Sequence, residues 1–215
     1  MSVRVVCIGG GGHAAVVIDT LHAMAAGADA TIEIAGFTDV NAGAPPVLDV
    51  PWIGSDDDLS VLAGAHRATH FIVAVGSTRG GGELRARLFA RAQAAGLLPL
   101  TALHPSAVIA GSARIEAGSI VMAGAVVQPR TRIGRNVIVN TRASIDHDCT
   151  IGDHAHIAPG AVLSGGVAIE DRCHIGVGCT VIQNVRIGRG ATVAAGATVV
   201  HDVAAGCVVK GTPAR

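Results

Sequence analysis

Aromatic side chains are scarce in this chain of 215 residues, which has three Phe, one Trp and no Tyr although half of its residues are hydrophobic. An ordinary globular core relies on aromatic rings to fill its volume. Their scarcity favours a narrow interior packed with Val, Ile and Ala. The chain also lacks a long apolar run and a cationic leader before an apolar stretch. Neither a membrane helix nor a signal peptide is therefore expected, and the sequence predicts a cytoplasmic protein.

An excess of charge of either sign is lacking as well, because Lys and Arg number 16 and Asp and Glu also number 16. This balance predicts neither a nucleic-acid surface nor a basic membrane patch. The five cysteines lack the C-x-x-C spacing of zinc and redox motifs, so no metal is expected. We interpret them as reduced core residues: Cys7, Cys149, Cys173, Cys179 and Cys207.

A repeat occupies the second half of the chain. Every sixth residue from Ile109 to Val199 is Val, Ile or Leu, and the residue four places after each is small or Val. A period of six fits neither a helix nor a half-buried strand, and is typical of parallel β-helices. The pattern resembles the left-handed β-helix of the hexapeptide acyltransferases, in which three hexads close one triangular coil. Residues three hexads apart are then expected to stack directly above one another.

The first half alternates apolar runs with amphipathic stretches, which is typical of an α/β unit. The predicted elements are strands over residues 3–8, 32–37, 70–75 and 97–103 and helices over residues 14–26 and 83–95. The fold prediction is therefore a Rossmann-like α/β domain with a short parallel sheet over residues 1–103. A left-handed parallel β-helix of hexapeptide repeats follows over residues 104–215.

The strand ends of this α/β unit carry small and polar residues. The run Gly9-x-Gly11-x-x-Ala14 matches the glycine turn whose backbone N–H groups face a phosphate. Asp39 follows the second strand, where such folds contact a ribose or base, and Gly76-Ser77 follows the third. A plain strand-to-helix connection without a ligand is the alternative. Three strand ends that carry glycine or polar residues are expected to meet in one crevice, and this favours a bound nucleotide over a plain connection.

Motifs spread over nearly the whole chain carry a family resemblance. They are Gly9-x-Gly11-Gly12-His13, Phe37-Thr38-Asp39, Val73-Ala74-Val75-Gly76, His104-Pro105-Ser106-Ala107, residues 140–149, residues 154–160 and residues 210–215. Together they resemble the sugar O- and N-acyltransferase family of hexapeptide-repeat proteins, which includes sialic-acid O-acetyltransferases and bacillosamine and perosamine N-acetyltransferases. The resemblance implies a homotrimer with active sites between adjacent β-helices. It also implies a nucleotide-linked sugar on the α/β domain and acetyl-CoA along the β-helix.

The resemblance also assigns roles to residues. It implies that His147 is the catalytic histidine and that Asp148 is the acidic residue beside it. The acetyl-CoA contacts map to His156, Gly165, Val177 and Ala195, and the sugar-nucleotide contacts map to Gly11, Gly12, His13, Asp39 and Gly76. From their positions, Ser77 joins the sugar site, Lys210 and Arg215 are candidates for the coenzyme A phosphates, and Arg79 with Gly80–Gly82 is a candidate loop over the sugar.

These residues suggest direct acetyl transfer. Histidine suits a general base near neutral pH, and an adjacent carboxylate can hold its tautomer and stabilise the imidazolium. Gly165 lies three hexads after His147, so its N–H is a candidate donor to the thioester oxygen, worth about 3–4 kcal/mol in the barrier. Cys149 falls on a small inward position, which favours a core residue over an acyl-enzyme nucleophile.

We therefore predict an acetyl-CoA-dependent N-acetyltransferase for a GDP- or UDP-linked 4-amino-dideoxy sugar, such as perosamine or a bacillosamine precursor, in polysaccharide (O-antigen) biosynthesis. Three alternatives stay open. One is a sialic-acid-type O-acetyltransferase. Another is a γ-carbonic-anhydrase-like zinc enzyme: His154, His156 and His174 form a local cluster on the coil exteriors, although the spacing of His147, His154, His156 and His174 does not resemble that family's ligand triad. The third is a non-catalytic nucleotide-sugar-binding protein, against which the His147-Asp148 pair argues.

Overall fold

The structure, a computed structural model, describes residues 3–27, 32–77 and 82–215. Its first part is a five-stranded parallel sheet in the order β3-β2-β1-β4-β5, with helices between the strands. The strands are β1 Val3–Ile8, β2 Ile32–Thr38, β3 Trp52–Gly54, β4 His70–Val73 and β5 Leu98–Pro99. The helices are α1 Gly12–Gly27, α2 Leu59–Ala65, which follows a 3-10 turn at Asp56–Asp58, and α3 Gly82–Ala94. The three-residue edge strand β3 was not predicted, because it is too short to have a period.

The predicted stretch over residues 97–103 divides between the two parts of the molecule. Leu98–Pro99 closes the parallel sheet, whereas the next strand, Ala102–Leu103, already belongs to the β-helix. From there to Thr198–Val199 each strand is two residues long and pairs with a strand three places away along the chain, whereas the last strand, Val208–Val209, pairs with Thr192–Val193 at an offset of 16 residues. Ile138, for example, pairs with His156, 18 positions later. The predicted stacking of residues three hexads apart is confirmed.

Three parallel sheets form the sides of the left-handed β-helix. The sheet that we call the covered face comprises β6 Ala102–Leu103, β9 Ile120–Val121, β12 Ile138–Val139, β15 His156–Ile157, β18 His174–Ile175, β21 Thr192–Val193 and β23 Val208–Val209. The neutral face comprises β7 Val108–Ile109, β10 Val126–Val127, β13 Ser144–Ile145, β16 Val162–Leu163, β19 Thr180–Val181 and β22 Thr198–Val199. The arginine face comprises β8 Arg114–Ile115, β11 Arg132–Ile133, β14 Thr150–Ile151, β17 Ala168–Ile169 and β20 Arg186–Ile187.

The repeat residues fill the interior of this prism. From Val121 to Val203 the branched residue of each hexad and the residue four places later form one continuous buried cluster. Cys149, Cys173 and Cys179 are buried members of it, as predicted, and Cys7 is buried in the α/β part. The prediction was wrong for Cys207, which is exposed in the last turn of the β-helix. Within the described residues, no helix is long and apolar enough to cross a membrane.

The turns at the corners of the prism have a fixed backbone conformation. From Gly118 to Gly196 one residue in each turn has a positive φ, and the chain supplies Gly, Asn, Asp, Arg or His there, as at Arg130 (62°), Asp148 (60°) and Gly166 (70°). Gly and Asn or Asp adopt this left-handed conformation most readily. The residue before it, such as His147, occupies the outside of the corner, where its side chain is exposed.

The α/β part packs on the covered face of its own chain. Outward-pointing Ile120, Met122 and Ile138 share a buried cluster with the inner side of β1 and α1. Helix α3 runs along the adjacent corner, between the arginine and covered faces. There a Cβ on Gly82 would lie 2.7 Å from the Cβ of Arg172, and a Cβ on Gly118 would lie 2.5 Å from the ring of Phe89. The close fit leaves the other two faces uncovered within one chain.

A buried cation fixes this junction. Arg85 of α3 is fully buried, and its guanidinium donates to the carbonyls of Val73 (3.2 Å) and Val75 at the end of β4. It also donates to the carbonyl (2.8 Å) and Oδ1 (2.6 Å) of Asn136 in the β-helix. Burial lowers the pKa of Arg85 to about 9. Carbonyl oxygens thus hold this charge, and these hydrogen bonds tie the end of β4 to the prism.

Candidate active site

A cleft of about 490 Å³ lies at the carboxyl ends of β1, β2 and β4, and all six predicted sugar-nucleotide residues line it. They are Gly11, Gly12, His13, Asp39, Gly76 and Ser77. This is the edge at which open parallel sheets bind ligands. The structure therefore brings this part of the predicted site together.

The four glycines from Gly9 to Gly12, where α1 begins, have two different functions. A Cβ on Gly9 would lie 2.5 Å from Val75 Cγ2, and one on Gly10 would lie 2.2 Å from the ring of Phe37, so these two glycines allow the turn to pack. A Cβ on Gly11 or Gly12 would meet nothing within 4 Å. These two glycines open the cleft to a ligand next to the first N–H groups of α1, which have no acceptor within the helix.

Asp39 closes the glycine turn from the opposite side. Its Oδ2 accepts a hydrogen bond from the N–H of Gly10 (2.8 Å), and its Oδ1 accepts from the N–H and Nδ2 of Asn41 (both 2.9 Å). Asp56, below it, accepts a 2.6 Å hydrogen bond from the Thr38 hydroxyl, and burial raises the pKa of Asp56. The far end of the cleft is therefore rich in acceptor groups, which suits the N–H donors of a nucleobase.

His13 has an unsatisfied group in this cleft. Its Nε2 is buried and has no hydrogen-bond partner among the described residues. Burial, together with the charge of Arg85, lowers the pKa of His13 to about 4, so the ring is neutral near pH 7. A buried ring nitrogen without a partner is costly, and a ligand in the cleft can provide the missing hydrogen bond.

His156 links the cleft to the β-helix. Its Nδ1 lies 3.0 Å from the hydroxyl of Ser77 at the cleft, and its Nε2 lies 3.0 Å from Nδ2 of Asn140. The ring is 5.1 Å from that of His174, the residue stacked on it in the next coil. Burial, with His174 nearby, lowers the pKa of His156 to about 3. This histidine is therefore a neutral hydrogen-bonding group.

The sequence placed His154, His156 and His174 together on the outside of the coils, and the structure adds that the α/β part covers them. The ring of His154 packs against Phe89 of α3 at 5.7 Å, and its Nδ1 lies 2.9 Å from Nδ2 of Asn136. Among the described residues, no three His, Cys, Asp or Glu side chains are grouped so that they could hold a metal ion.

His147 and Asp148 lie at the corner between the neutral and arginine faces, which we call the His147 corner. The Nδ1 of His147 is 2.7 Å from Oδ2 of Asp148, and 55% of the His147 side chain is exposed. An ionised carboxylate only accepts hydrogen bonds, so Nδ1 carries the proton and Nε2 has a free lone pair. A hollow of about 460 Å³ adjoins this corner and is lined by Asp146, Ser164, Gly165, Gly166, Gln183 and Asn184.

Arg130 was not predicted as part of this corner. It is stacked below Asp148 and binds both carboxylate oxygens, from Nε to Oδ1 at 2.6 Å and from Nη2 to Oδ2 at 2.7 Å. Its hydrogen bonds, followed by that of His147, hold the pKa of Asp148 well below its usual range. The signal was in the sequence, because the two residues are 18 positions apart. The same stacking rule that paired His147 with Gly165 also pairs Arg130 with Asp148.

Gly165 is required by the position of the His147 ring. A Cβ on Gly165 would lie 2.6 Å from Cε1 and 2.7 Å from Nε2 of His147. We expect Gly165→Ala to displace the exposed imidazole and to lower kcat by about 10–100-fold, because a misplacement of 1 Å can cost that much. The thermal midpoint should stay close to the wild-type value.

Steady-state kinetics and a thermal melt test this expectation. Gly111→Ala is the matched control, since a Cβ there meets nothing within 4 Å and the residue lies in the same β-helix. Equal kcat values for the two variants would show that the ring does not need this space.

The predicted acetyl-CoA residues divide between two surfaces of one chain. Gly165 belongs to the His147 corner. The others line the corner between the covered and neutral faces, which we call the Val177 corner, or lie next to it. Val177 and Ala195 are exposed there, 18 positions apart, and the exposed residues Lys210 and Arg215 follow in the last turn, joined by backbone hydrogen bonds of 3.0 and 3.1 Å. His156 lies on the adjoining covered face.

One chain therefore does not bring all the predicted parts together. The cleft and the Val177 corner both adjoin the covered face. The His147 corner is the corner opposite the covered face, and the neutral face separates it from the Val177 corner. The hollow and the cleft share no lining residue. Arg79, Gly80 and Gly81, the greater part of the predicted loop over the sugar, lie outside the described residues, and Gly82 begins α3.

Fold and site together are those of a hexapeptide-repeat acyltransferase whose α/β domain resembles nucleotide-binding domains. Comparison with known proteins gives the same class. The family model of the PglD N-terminal domain matches residues 4–91, and that of the bacterial transferase hexapeptide (six repeats) matches residues 130–165.

Three solved structures resemble the chain over almost its whole length. A mutant of perosamine N-acetyltransferase from Caulobacter crescentus, in complex with CoA and GDP-perosamine, is 37% identical, with a TM-score of 0.89, over 99% of this chain and 95% of that chain. The acetyltransferase domain of PglB from Neisseria gonorrhoeae, in complex with acetyl coenzyme A, is 36% identical with a TM-score of 0.89, over 100% and 99%. WeeI from Acinetobacter baumannii is 26% identical with a TM-score of 0.85, over 100% and 99%. This chain belongs to the PglD-type family of hexapeptide-repeat sugar acetyltransferases.

Proposed function

We propose that this chain transfers the acetyl group of acetyl-CoA to the amino group of a nucleotide-linked 4-amino-dideoxy sugar. The observation that carries the proposal is the His147 imidazole, which is held by Asp148 and lies over the backbone of Gly165. The ligand cleft on the α/β domain and the similarity to an enzyme recorded with CoA and GDP-perosamine support the same class of substrate.

The chemistry is direct transfer. The sugar amine attacks the thioester carbonyl carbon, and Nε2 of His147 takes a proton from the attacking nitrogen. The carbonyl oxygen becomes an oxyanion, for which the N–H of Gly165 is the candidate donor; among the described residues this N–H has no backbone or side-chain acceptor. The C–S bond then breaks, and the imidazolium returns its proton to the departing thiolate. Asp148 keeps the ring in the correct tautomer and stabilises the imidazolium.

A complete site requires a second copy of the chain. The cleft that would hold the sugar nucleotide and the Val177 corner that would hold acetyl-CoA are on the side away from His147 of the same chain. A neighbouring copy can supply the His147 corner if the prisms pack side by side. A closed ring of three such copies is the homotrimer that the family resemblance implies, with three equivalent interface sites.

The neutral face is the surface that fits such packing. Its outward side chains are small and uncharged: Val108, Val126, Ser144, Val162, Thr180 and Thr198. Val108 is 63% exposed and Val162 is 42% exposed, and Val177 at the adjoining corner is 54% exposed. An uncharged face with exposed Val side chains favours an interaction surface. The proposal keeps the predicted cytoplasmic location and the division of the chain into two domains close to the predicted limits of residues 1–103 and 104–215, with Ala102–Leu103 pairing into the β-helix.

Cys149 tests direct transfer against an acyl-enzyme route. Its thiol is buried in the prism, its Sγ donates to the carbonyl of Ser164 (3.2 Å), and burial raises its pKa. Such a thiol is a poor nucleophile. We expect Cys149→Ala to retain kcat within about twofold, measured by thiol release with both substrates saturating. Loss of activity in a variant that still folds and assembles would favour the acyl-enzyme route.

The proposed function is tested by measuring thiol release from acetyl-CoA with a panel of sugars. The panel pairs GDP- and UDP-linked 4-amino-dideoxy sugars with the same sugars that carry a hydroxyl in place of the amine. We expect turnover with an amino sugar and loss of turnover with its hydroxyl counterpart. Turnover with hydroxyl sugars only would support the sialic-acid-type O-acetyltransferase, and binding without thiol release would support the non-catalytic protein.

A further inference from the structure

The carboxylate of Asp148 is shared between two side chains. Oδ1 accepts from Arg130 Nε (2.6 Å), while Oδ2 accepts from Arg130 Nη2 (2.7 Å) and from Nδ1 of His147 (2.7 Å). The fork of a guanidinium fixes the plane of a carboxylate that it binds through two bonds. Arg130 therefore determines which edge of the carboxylate faces the imidazole.

Little else holds Asp148 in place. Its side chain is 43% exposed and extends from a left-handed turn residue with φ 60°. The other titratable group that lines the hollow is Asp146, whose Oδ1 accepts from the N–H of His147 (2.8 Å) and so fixes the backbone of the histidine. The next two coils contribute Ser164, Gly165 and Gly166 and then Gln183 and Asn184, which carry no charge. Arg130 is thus the cation bonded to the carboxylate that supports His147.

The charge of Arg130 acts against that of Asp148 at the imidazole. A positive charge beyond the carboxylate offsets part of the stabilisation that the carboxylate gives to an imidazolium, while the fork keeps the His147–Asp148 hydrogen bond aligned. We infer that Arg130 is a positioning residue, which orients Asp148 against His147 and sets the pH range in which His147 works as a base. This inference rests on the proposed function for its kinetic consequence only.

Two substitutions separate the charge of Arg130 from its fork. In Arg130→Gln the cation is lost, so the acid limb of the kcat/KM profile should move to higher pH by about half a pH unit at low salt, as expected for one charge near the surface. The kcat on the plateau should fall about 3–10-fold, because the carboxylate is no longer fixed. In Arg130→Lys the limb should stay near its wild-type position while kcat falls in the same way.

A matched ion pair provides the control. Arg135 binds Asp153 through Nε (3.0 Å) and Nη2 (2.8 Å) with the same spacing of 18 positions, but at the corner where α3 packs. Both of these side-chain bonds of Arg135 end on Oδ2, and Arg135→Gln should lose this arginine–aspartate pair without any change in the pH profile. A purely structural role of Arg130 would give equal profiles for Arg130→Gln and Arg135→Gln and would overturn the inference.

Two further readouts complete the test. A rise in the KM for acetyl-CoA with an unchanged profile would also overturn the inference, because Arg130 would then bind the cosubstrate. The titration of the His147 ring protons, followed by NMR in the protein without substrates, should have a higher midpoint in Arg130→Gln than in the wild type. If the wild type transferred no acetyl group, the proposed function would fail, and the NMR titration would still decide for or against Arg130.

Discussion

His147→Ala should lower kcat by a factor of about 10²–10⁴, the usual contribution of a positioned general base. The hydrogen bond from Nδ1 to Asp148 leaves Nε2 as the unprotonated atom, and that atom lies over Gly165 at the edge of the hollow. No other histidine among the described residues lines this hollow. The loss should be in kcat rather than in KM, because the imidazole acts on the attacking nitrogen and contributes little to ground-state binding.

Thiol release with both substrates saturating measures this effect. The matched control is His22→Ala, which removes an exposed histidine from α1 and should retain wild-type kcat. A thermal melt checks that the variants are folded, and no large change is expected because the His147 side chain is 55% exposed. Wild-type turnover in folded His147→Ala would contradict direct transfer with this base.

Arg85→Met should lower the free energy of unfolding by about 3–5 kcal/mol, because it leaves several buried acceptors without a donor. Two effects compete here. The variant no longer carries the desolvation cost of a buried cation, but it leaves acceptors on Val73, Val75 and Asn136 without their donor. Each unsatisfied buried acceptor costs about 1–3 kcal/mol, so the second effect should dominate.

The expected change in the thermal midpoint is a decrease of about 10 °C for a chain of this size. Arg87→Met on the same helix is the control, because Arg87 is exposed and its loss should change the midpoint by only about 1–2 °C. Urea unfolding gives the free-energy difference directly. Equal stability of the two variants would mean that the carbonyl cage around Arg85 contributes nothing to the junction.

The six-residue period was enough to predict the β-helix and much of the His147 corner. It fixes the number of residues in a coil, and the coil fixes which residues stack, so the pairs His147–Gly165 and His156–His174 followed from counting. The cleft was also predictable, because Gly11 and Asp39 follow parallel strands whose carboxyl ends meet at one edge.

The contacts between the two parts of the chain could not be predicted in this way. The Ser77–His156 hydrogen bond depends on which face of the prism the α/β part covers, and no local pattern encodes that choice. The sequence of the helix that carries Arg85 predicts only an amphipathic helix. Because arginine is seldom fully buried, nothing in the sequence indicates that Arg85 lies in the core. Its burial is stabilised by carbonyl groups brought together only in the folded chain. The exposed position of Cys207 likewise reflects the end of the prism, where no further coil covers it.

The central claim, that each site combines the cleft of one copy with His147 of another, is tested most directly by mixing two inactive variants. Gly11→Trp should obstruct the cleft, because Gly11 lines it and a Cβ there meets nothing within 4 Å, and His147→Ala removes the base. Equal amounts of the two chains are unfolded together, refolded and assayed for thiol release. If sites lie between copies of a trimer, about a quarter of them receive one intact cleft and one intact His147, and activity returns to about a quarter of the wild-type value. If the mixture stays as inactive as either variant alone, each site is confined to one chain and the account is wrong.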